Sequence, residues 1–220
     1  MLDVDLDAYN ALLIAALAMA IVMEAARRVN WRGAAIDEHN RWAIATATVF
    51  IGHQMTAMLP AGIALHYLGG AALALVLGYP RAILSMALIL TLDNLMLEHP
   101  GSLGLRLLLD GVLPVLAMTL IVTFARRHLP PNLFVFLLGC GFFGLFAVYA
   151  LQQAVGLTLR QWLDPIAPLA SEGFLGYALL LAGGEATLEG MVITILVVYL
   201  PGSVRLFDEG FYLRAVTDDR

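Results

Sequence analysis

The sequence predicts an all-α, polytopic membrane protein of about seven transmembrane helices, with its N-terminus outside and its C-terminus in the cytoplasm. Three observations lead to this prediction. Of the 220 residues, 61% are apolar and only 13% are charged, against about 45–50% and about 25% in soluble domains. The apolar residues form runs that approach the length needed to cross a bilayer, about 20 residues. The arginines gather on one side of these runs, as positive charges do in membrane proteins.

Seven apolar runs account for the predicted helices, at residues roughly 8–26, 42–59, 61–79, 82–97, 107–125, 133–156 and 174–200. We predict a helix for each run, because backbone groups in lipid must be hydrogen-bonded within the segment itself. The first run follows the acidic stretch MLDVDLDAY, whereas a signal peptide carries positive charge there. Pro60 separates the second and third runs with almost no loop, so these are either two full spans or one re-entrant pair.

The later runs are divided by turn signals. The stretch ARRHLPPN, residues 125–132, predicts a turn on the inside because two successive prolines cannot continue a helix. Residues 157–173 are predicted to form a polar loop on the outside. We expect one integral membrane domain over residues 1–220, whose last part, 201–220, is a cytoplasmic tail.

The first run carries small residues at a spacing that favours close contact between helices. Its alanines at positions 11, 15, 16 and 20 follow the small-xxx-small pattern. The pattern predicts close packing of this helix, either within the chain or against a partner protein.

Orientation follows from the arginines. With the N-terminus outside, the outer loops hold only Arg106 and Arg160. Ten arginines then face the cytoplasm, at positions 27, 28, 32, 41, 81, 126, 127, 205, 214 and 220. The opposite orientation would invert this bias, and an odd number of spans agrees with it.

Composition excludes several functional classes. All twelve basic residues are arginine, so a P-loop lysine and a Schiff-base lysine are absent. The net charge of −5 argues against a nucleic-acid partner. The single cysteine, Cys140, excludes an intrachain disulfide and a CxxC site. We find no catalytic motif and predict that the chain is not an enzyme and has no cofactor, so that a bound metal ion would be its substrate.

His66 is the first candidate ligand. A charged side chain in mid-bilayer costs about 2.5–3.5 kcal/mol and usually faces the bundle interior with a functional role. His66 lies in PAGIALHYLGGAALALVLG, and on a helix Gly69 and Gly70 would share its face. Glycines there would let an ion or a backbone approach the imidazole, the commonest ligand of divalent transition metals. The alternative is a buried histidine bonded to a neighbouring helix.

His53, in FIGHQMTAML, is the second candidate. Imidazole together with the thioether of Met55 would suit copper or another soft ion. A residue two positions further along a helix points away, however, so His53 and Met55 cannot bind one ion without a break in the helix. Methionines in an apolar chain mostly serve packing.

Glu185 and Glu189, in GGEATLEGM, lie four residues apart and therefore on one helix face. Two carboxylates in a low dielectric repel each other, so one should hold a proton unless a cation lies between them. They are candidates for a proton site, for half of a cation site, or for partners of an arginine or histidine. A structural role, with one carboxylate bonded to irregular backbone, is equally compatible with the pattern.

Two aspartates and a third histidine complete the set. Asp110 is predicted near the outer end of its helix, where a structural role is favoured. Asp93 in TLDNL lies deeper and is a candidate oxygen donor for a cation. His99 belongs to the turn Glu98-His99-Pro100-Gly101, which is either a surface turn or an entry point for a cation.

The stretch PAGIALHYLGGAALALVLGYPRAILSMALILTLDNLMLEHPGSLG resembles the central part of the CbiM/NikM-type cobalt and nickel permeases of energy-coupling factor transporters. His66 matches the family's intramembrane histidine ligand, and His99 matches the histidine of its His-Gly-Gly turn. The stretch GEATLEGMVITILVVYLPGSVRLFDEGFYL resembles an uncharacterised bacterial branch of energy-coupling factor permease-like membrane proteins.

The resemblance implies a seven-helix bundle in the bacterial inner membrane that binds a divalent transition-metal ion. It also implies a transmembrane coupling protein and cytoplasmic ATPases as partners. The family begins Met-His and uses that histidine in a square-planar site, whereas this chain begins Met1-Leu2. Gly70 stands where the family has an asparagine. Any metal site is therefore expected to draw on His66 and His53, with Glu185, Glu189 or Asp93 as oxygen donors.

Three functions remain compatible with the sequence. The first is the metal-binding membrane subunit of a primary transporter. The second is a proton-coupled secondary transporter that uses Glu185 and Glu189. The third is an accessory or scaffold subunit that transports nothing and belongs to a larger complex.

Overall fold

The computed structural model describes residues 8–58, 64–97, 103–163 and 174–213. Within them the protein is a bundle of helices with one small β-hairpin. The first half of the chain contains helix α1 (Ala8–Arg28), helix α2 (Ile36–His53), strands β1 (Thr56–Met58) and β2 (Ala64–His66), the short helix α3 (Gly70–Leu77) and helix α4 (Tyr79–Leu97).

The second half contains longer helical elements in which α- and π-helical turns alternate. A turn of α-helix, α5 (Leu103–Arg106), continues through a π-helical segment (Leu107–Val112) into α6 (Leu113–His128). A second π-helical segment (Val135–Gly144) leads into α7 (Leu145–Leu163). The last elements are α8 (Phe174–Tyr199), a 3₁₀ turn (Pro201–Ser203) and α9 (Glu209–Tyr212).

Four helices of the described ranges are long and apolar enough to cross a membrane: Tyr9–Arg28, Leu103–His128, Val135–Leu159 and Gly176–Tyr199. They correspond to the first, fifth, sixth and seventh predicted runs. Apolar side chains cover much of their outer surface, as expected of helices that face lipid. The protein is therefore an integral membrane protein with a mainly helical fold.

The second and third predicted runs differ from the structure. The prediction of a helix over 61–79 is wrong, because β2 pairs with β1 in an antiparallel hairpin and the helix begins only at Gly70. His66 is the last residue of β2, and its backbone is opposite Thr56. Gly69 and Gly70 consequently share no helix face with His66. The second run, predicted at 42–59, is helical over Ile36–His53.

Helix α3 lies at the centre of the bundle and is nearly enclosed by α4, α6, α7 and α8. Its sequence is GAALALVL, and the buried residues are Gly70, Ala71, Leu73, Ala74, Leu75 and Leu77. Glycines with positive φ bracket it, Gly69 at +69° and Gly78 at +75°. A side chain at Gly69 would also collide with Val49, whose Cγ1 would lie 2.4 Å from the added Cβ. Glycine at this turn therefore lets the chain pass from the hairpin into α3.

Small residues mark the closest helix contacts elsewhere. A Cβ on Gly104 of α5 would lie 2.8 Å from the Cα of Ala15 in α1, so the backbone of this alanine packs closely within the chain, whereas Ala16 and Ala20 are exposed. A Cβ on Gly70 would lie 2.9 Å from Pro114. This contact leaves no room for a larger side chain at position 70 unless Pro114 moves.

The segment after α8 folds back onto α3. The amides of Arg205 and Leu206 donate to the carbonyls of Val76 and Leu75, at 3.1 and 3.0 Å. These carbonyls belong to the last turn of α3, which has no intrahelical partner for them. Residues 201–213 of the predicted tail are therefore bound to the bundle, and the cytoplasmic location of 201–220 stays a prediction.

Candidate functional site

The buried polar side chains meet at residues Tyr67 and Leu68, directly after β2. The Tyr67 carbonyl accepts a hydrogen bond from Nδ1 of His53, at 2.7 Å. The Leu68 amide donates to Oε1 of Glu185, at 2.9 Å. Irregular backbone at membrane depth is tolerated only where the protein satisfies its polar groups. Side chains from α2 and α8 do this here, and they hold the residues that follow His66 inside the bundle.

His53 is buried at the C-terminal end of α2. Because a carbonyl oxygen can only accept, the hydrogen bond to Tyr67 assigns the hydrogen to Nδ1 of the imidazole. The other ring nitrogen, Nε2, is directed toward α4 and lies 3.7 Å from Oδ2 of Asp93. The ring is thus fixed in orientation by its own hydrogen bond, as metal-binding histidines usually are.

Asp93 forms a buried ion pair with Arg106 of α5. The prediction that Arg106 lies in an outer loop is wrong, because α5 begins at Leu103 and the Arg106 side chain is buried. The sequence around Arg106, LGLRLLLD, could have indicated that this arginine is buried. A lone arginine among leucines in a membrane protein needs a buried partner of opposite charge.

Glu185 and Glu189 lie on one face of α8 and are almost fully buried, with 3% and 4% of their surface exposed. We call them the carboxylate pair. Each has one oxygen fixed by a donor: Glu185 by the Leu68 amide and Glu189 by the Tyr149 hydroxyl. The second oxygens, Oε2 of Glu185 and Oε1 of Glu189, have no hydrogen-bond partner among the described residues.

A cavity of about 1010 Å³ opens over the carboxylate pair. Its walls are α2 and α8, and α3 together with Tyr67 forms its floor. The lining is mainly aliphatic, with Arg41 toward the end where α8 meets its 3₁₀ turn. The pair therefore presents oxygen atoms to an otherwise apolar space that is large compared with any metal ion.

The structure thus divides the predicted ligands into two groups, joined by Tyr67 and Leu68. His53 and Asp93 are close to each other, and the carboxylate pair lies on the other side of the two-residue segment. His66 directly precedes that segment, and His99 lies outside the described residues. Within the described ranges, no group of three or more His, Cys, Asp or Glu side chains is placed to hold a metal ion.

Asp110, for which a structural role was predicted, has a polar partner in the structure. It accepts a hydrogen bond from Nε2 of Gln152, at 3.0 Å, and so connects the π-helical segment of residues 107–112 to α7. This contact gives the aspartate a local partner and separates it from the two groups around Tyr67 and Leu68.

Comparison with solved structures identifies the same fold in two crystal structures. One is described as a transition metal transporter; it is 20% identical, with a TM-score of 0.70, and the match covers 97% of this chain and 99% of that chain. The other is described as a truncated transition metal transporter; it is 22% identical, with a TM-score of 0.68, and the match covers 88% of this chain and 96% of that one. No curated protein matches the sequence.

The family resemblance found in the sequence is confirmed by a match to a family model. The model is that of CbiM, described as the cobalt uptake substrate-specific transmembrane region, and it matches residues 3–202. This range includes both stretches on which the resemblance depends, apart from the last residues of the second. The chain therefore belongs to the CbiM family.

Proposed function

We propose that the protein is the substrate-binding membrane subunit of an uptake system for a divalent transition-metal ion. Membership of a cobalt-uptake family supports this function. The two crystal structures with this fold are described as transition metal transporters, which supports the same class of substrate. Transport, rather than catalysis, also agrees with the absence of a catalytic motif in the sequence.

The observation that carries the proposal is the way in which the segment after His66 is held. Two buried side chains from different helices bond to adjacent backbone groups, the Tyr67 carbonyl and the Leu68 amide. Such contacts fix the chain position of His66 from both sides of the bundle. We infer that His66 is a metal ligand, since imidazole suits divalent transition metals and a preorganised ligand binds more tightly.

The remaining candidates are assigned roles in the same proposal. His53 and Asp93 lie within reach of one another and would act as further ligands or would orient the ligands. His99, which lies outside the described residues, would contribute as a further ligand. The carboxylate pair lies across Tyr67 and Leu68, and Glu185 would support the site through its bond to the Leu68 amide.

We propose seven membrane passes if the hairpin and α3 together are counted as one, with the N-terminus outside and the C-terminus in the cytoplasm. The ten-to-two arginine bias supports this orientation. We further propose a bacterial inner-membrane location. Since the chain has no lysine for a P-loop, uptake driven by ATP would require a coupling protein and ATPases as separate subunits.

The experiment is a measurement of bound metal on the purified, detergent-solubilised protein. The parent, His66→Ala and the control His39→Ala are equilibrated with cobalt or nickel chloride and analysed for metal per chain. His39 is exposed near the start of α2 and bonds only to local backbone, so its removal should have no effect. The proposal predicts metal in the parent and the control, and its loss in His66→Ala. Equal metal content in all three proteins would refute it.

A further inference from the structure

The unpartnered oxygens of the carboxylate pair require an explanation beyond metal binding at His66. They belong to residues one helical turn apart on the same face of α8, so one small ligand can reach both. Nearly all buried polar atoms in proteins have a hydrogen-bond partner. The cavity lining is mainly aliphatic, none of its described polar residues bonds to these two oxygens, and both side chains are more than nine-tenths buried. The two oxygens therefore point to a ligand that they share.

Two tyrosines are the titratable neighbours of the carboxylate pair. Tyr149 of α7 donates its hydroxyl hydrogen to Oε2 of Glu189. The Tyr67 hydroxyl is also close to Glu189 and interacts with its carboxylate. A phenol supplies a hydrogen bond and no positive charge, so neither tyrosine balances the charge of two carboxylates.

Among the described residues, the other elements around this face of α8 form no ion pair with Glu185 or Glu189, and the one arginine that lines the cavity, Arg41, bonds to the Gly202 carbonyl at its end. Helix α3, with the sequence GAALALVL, has no titratable side chain. From α2, His53 bonds to the Tyr67 carbonyl. Arg126 of α6 donates to the Leu206 carbonyl. No described positive charge is therefore in contact with the carboxylate pair, and a ligand that binds to it would reduce its charge.

The donor set favours a proton over a metal ion. Transition metals prefer imidazole or thiolate, and the pair offers only oxygen. Hard cations such as Ca²⁺ require about six to eight oxygen ligands, which this mainly aliphatic cavity does not supply. A proton needs no such set of ligands, and two buried carboxylates that share one avoid the repulsion of like charges.

We propose that Glu185 and Glu189 bind one exchangeable proton between them, at a site separate from the metal ligand His66. Because Glu185 also holds the Leu68 amide, the proton is connected to the segment that follows His66 through a single hydrogen bond. If the proposed metal function holds, proton binding and metal binding influence each other reciprocally, as any two coupled sites must.

The test is infrared spectroscopy of the metal-free full-length protein, following the C=O stretch of protonated carboxyl groups across pH. The proteins compared are the parent, Glu185→Gln, Glu189→Gln, the double variant, and the control Glu24→Gln. Glu24 is an exposed carboxylate of α1 paired with Arg28. Glutamine keeps the shape and one acceptor oxygen of each side chain, and circular dichroism checks the fold of every variant.

We expect a carboxylic-acid band at neutral pH in the parent and in the control, and its loss in the double variant. Each single variant should shift the pH at which the band titrates, because its neighbour is then an amide; if the double variant does not fold, these shifts decide the question. A parent without the band, or a band that survives in the double variant, would overturn the proposal. So would loss of the band on adding sodium at constant pH, which identifies a metal cation instead. Because the protein is metal-free, the result is independent of whether His66 binds metal.

Discussion

The two polar groups on either side of Tyr67 and Leu68 are built on opposite principles. In the first, Asp93 is in direct contact with the guanidinium of Arg106, and His53 completes the group. In the second, Glu185 and Glu189 have hydrogen-bond donors but no positive partner among the described residues, and they face a large cavity. The first group contains an ion pair of opposite charges, which suits the positioning of neighbouring residues and of the proposed metal ligands. The second is open, which suits binding.

This contrast separates two uses of charge inside a membrane. A buried pair of opposite charges is costly to disrupt, because removal of one partner leaves the other unsolvated. A carboxyl group that can exchange a proton has a neutral form available and tolerates the same environment more easily. Substitutions in the two groups should therefore differ in size, and the following predictions are ordered by that size.

The largest effect is expected for Arg106→Met. Loss of the guanidinium leaves Asp93 buried without a counter-charge, and we expect the free energy of unfolding to fall by about 3–5 kcal/mol. The measurement is denaturant unfolding in detergent micelles, monitored by circular dichroism. The double variant Asp93→Asn/Arg106→Met should recover part of the loss. A fall of less than about 1 kcal/mol in the single variant would show that the pair is not structural.

A smaller effect is expected for Glu185. Glu185→Ala removes the acceptor of the Leu68 amide and should lower the free energy of unfolding by about 1–3 kcal/mol. Glu185→Gln keeps an acceptor oxygen and should cost clearly less in the same unfolding assay. If glutamine costs as much as alanine, the negative charge itself stabilises the fold, and the contrast between the two polar groups fails.

The turn between the two groups gives the third prediction. Gly69→Ala places a Cβ at positive φ and against Val49, and we expect a loss of about 1–2 kcal/mol from the backbone conformation alone. The control is Gly156→Ala in α7, where no atom lies within 4 Å of the added Cβ and the helix should gain stability. If Gly69→Ala and Gly156→Ala changed the unfolding temperature equally, the backbone at Gly69 would not be constrained.

The smallest effect concerns a charge group outside the spans. Glu38 accepts hydrogen bonds from Arg81 and Arg205, and its bond to Arg81, partly offset by desolvation, lowers its pKa below the ordinary value. A lowered pKa means that these ion pairs stabilise the fold above the unfolded-state pKa of Glu38, and that this contribution disappears as pH falls through the folded-state pKa.

We therefore expect Glu38→Gln to cost about 0.2–1 kcal/mol at neutral pH, the range of partly exposed ion pairs. The difference from the parent should vanish in acid, below the lowered pKa. Unfolding midpoints of the two proteins across pH provide the measurement. A difference that grows toward acid would contradict the direction of the pKa shift.

The long helices could be predicted from sequence because hydrophobic length is a sufficient signal for them. The runs at 8–26 and 174–200 correspond closely to α1 and α8. The hairpin could not be predicted from the same signal, since PAGIALHYLGG is as apolar as a helix and lacks a polar turn. Backbone in a membrane protein can be non-helical where buried side chains bond to its polar groups, and the helix prediction did not include such side chains. His53 and Glu185 supply these partners from positions 14 and 117 residues away from Tyr67 and Leu68.

The candidate site could be predicted in part, because charged residues inside apolar runs stand out in the sequence. Burial of charged residues pointed to Asp93 and to the carboxylate pair, because the cost of burial makes such residues conspicuous in an apolar sequence. Arg106 was placed in an outer loop, since the positive-inside rule counts charge and cannot indicate an ion pair across two helices. The hairpin determines which candidate ligands lie next to each other. Because the sequence pattern does not indicate the hairpin, these neighbours could not be predicted.

The most direct test of the central claim is the affinity for cobalt or nickel after removal of the hydrogen bonds that His53 and Glu185 form with the backbone of Tyr67 and Leu68. Dissociation constants would be measured by calorimetry for the parent, His53→Ala, Glu185→Ala and the control His39→Ala. Residues that orient a metal site typically contribute 10–100-fold to its affinity, so the first two variants should bind at least about tenfold more weakly while the control equals the parent. Affinity unchanged in both variants would contradict the claim that these side chains position the metal site.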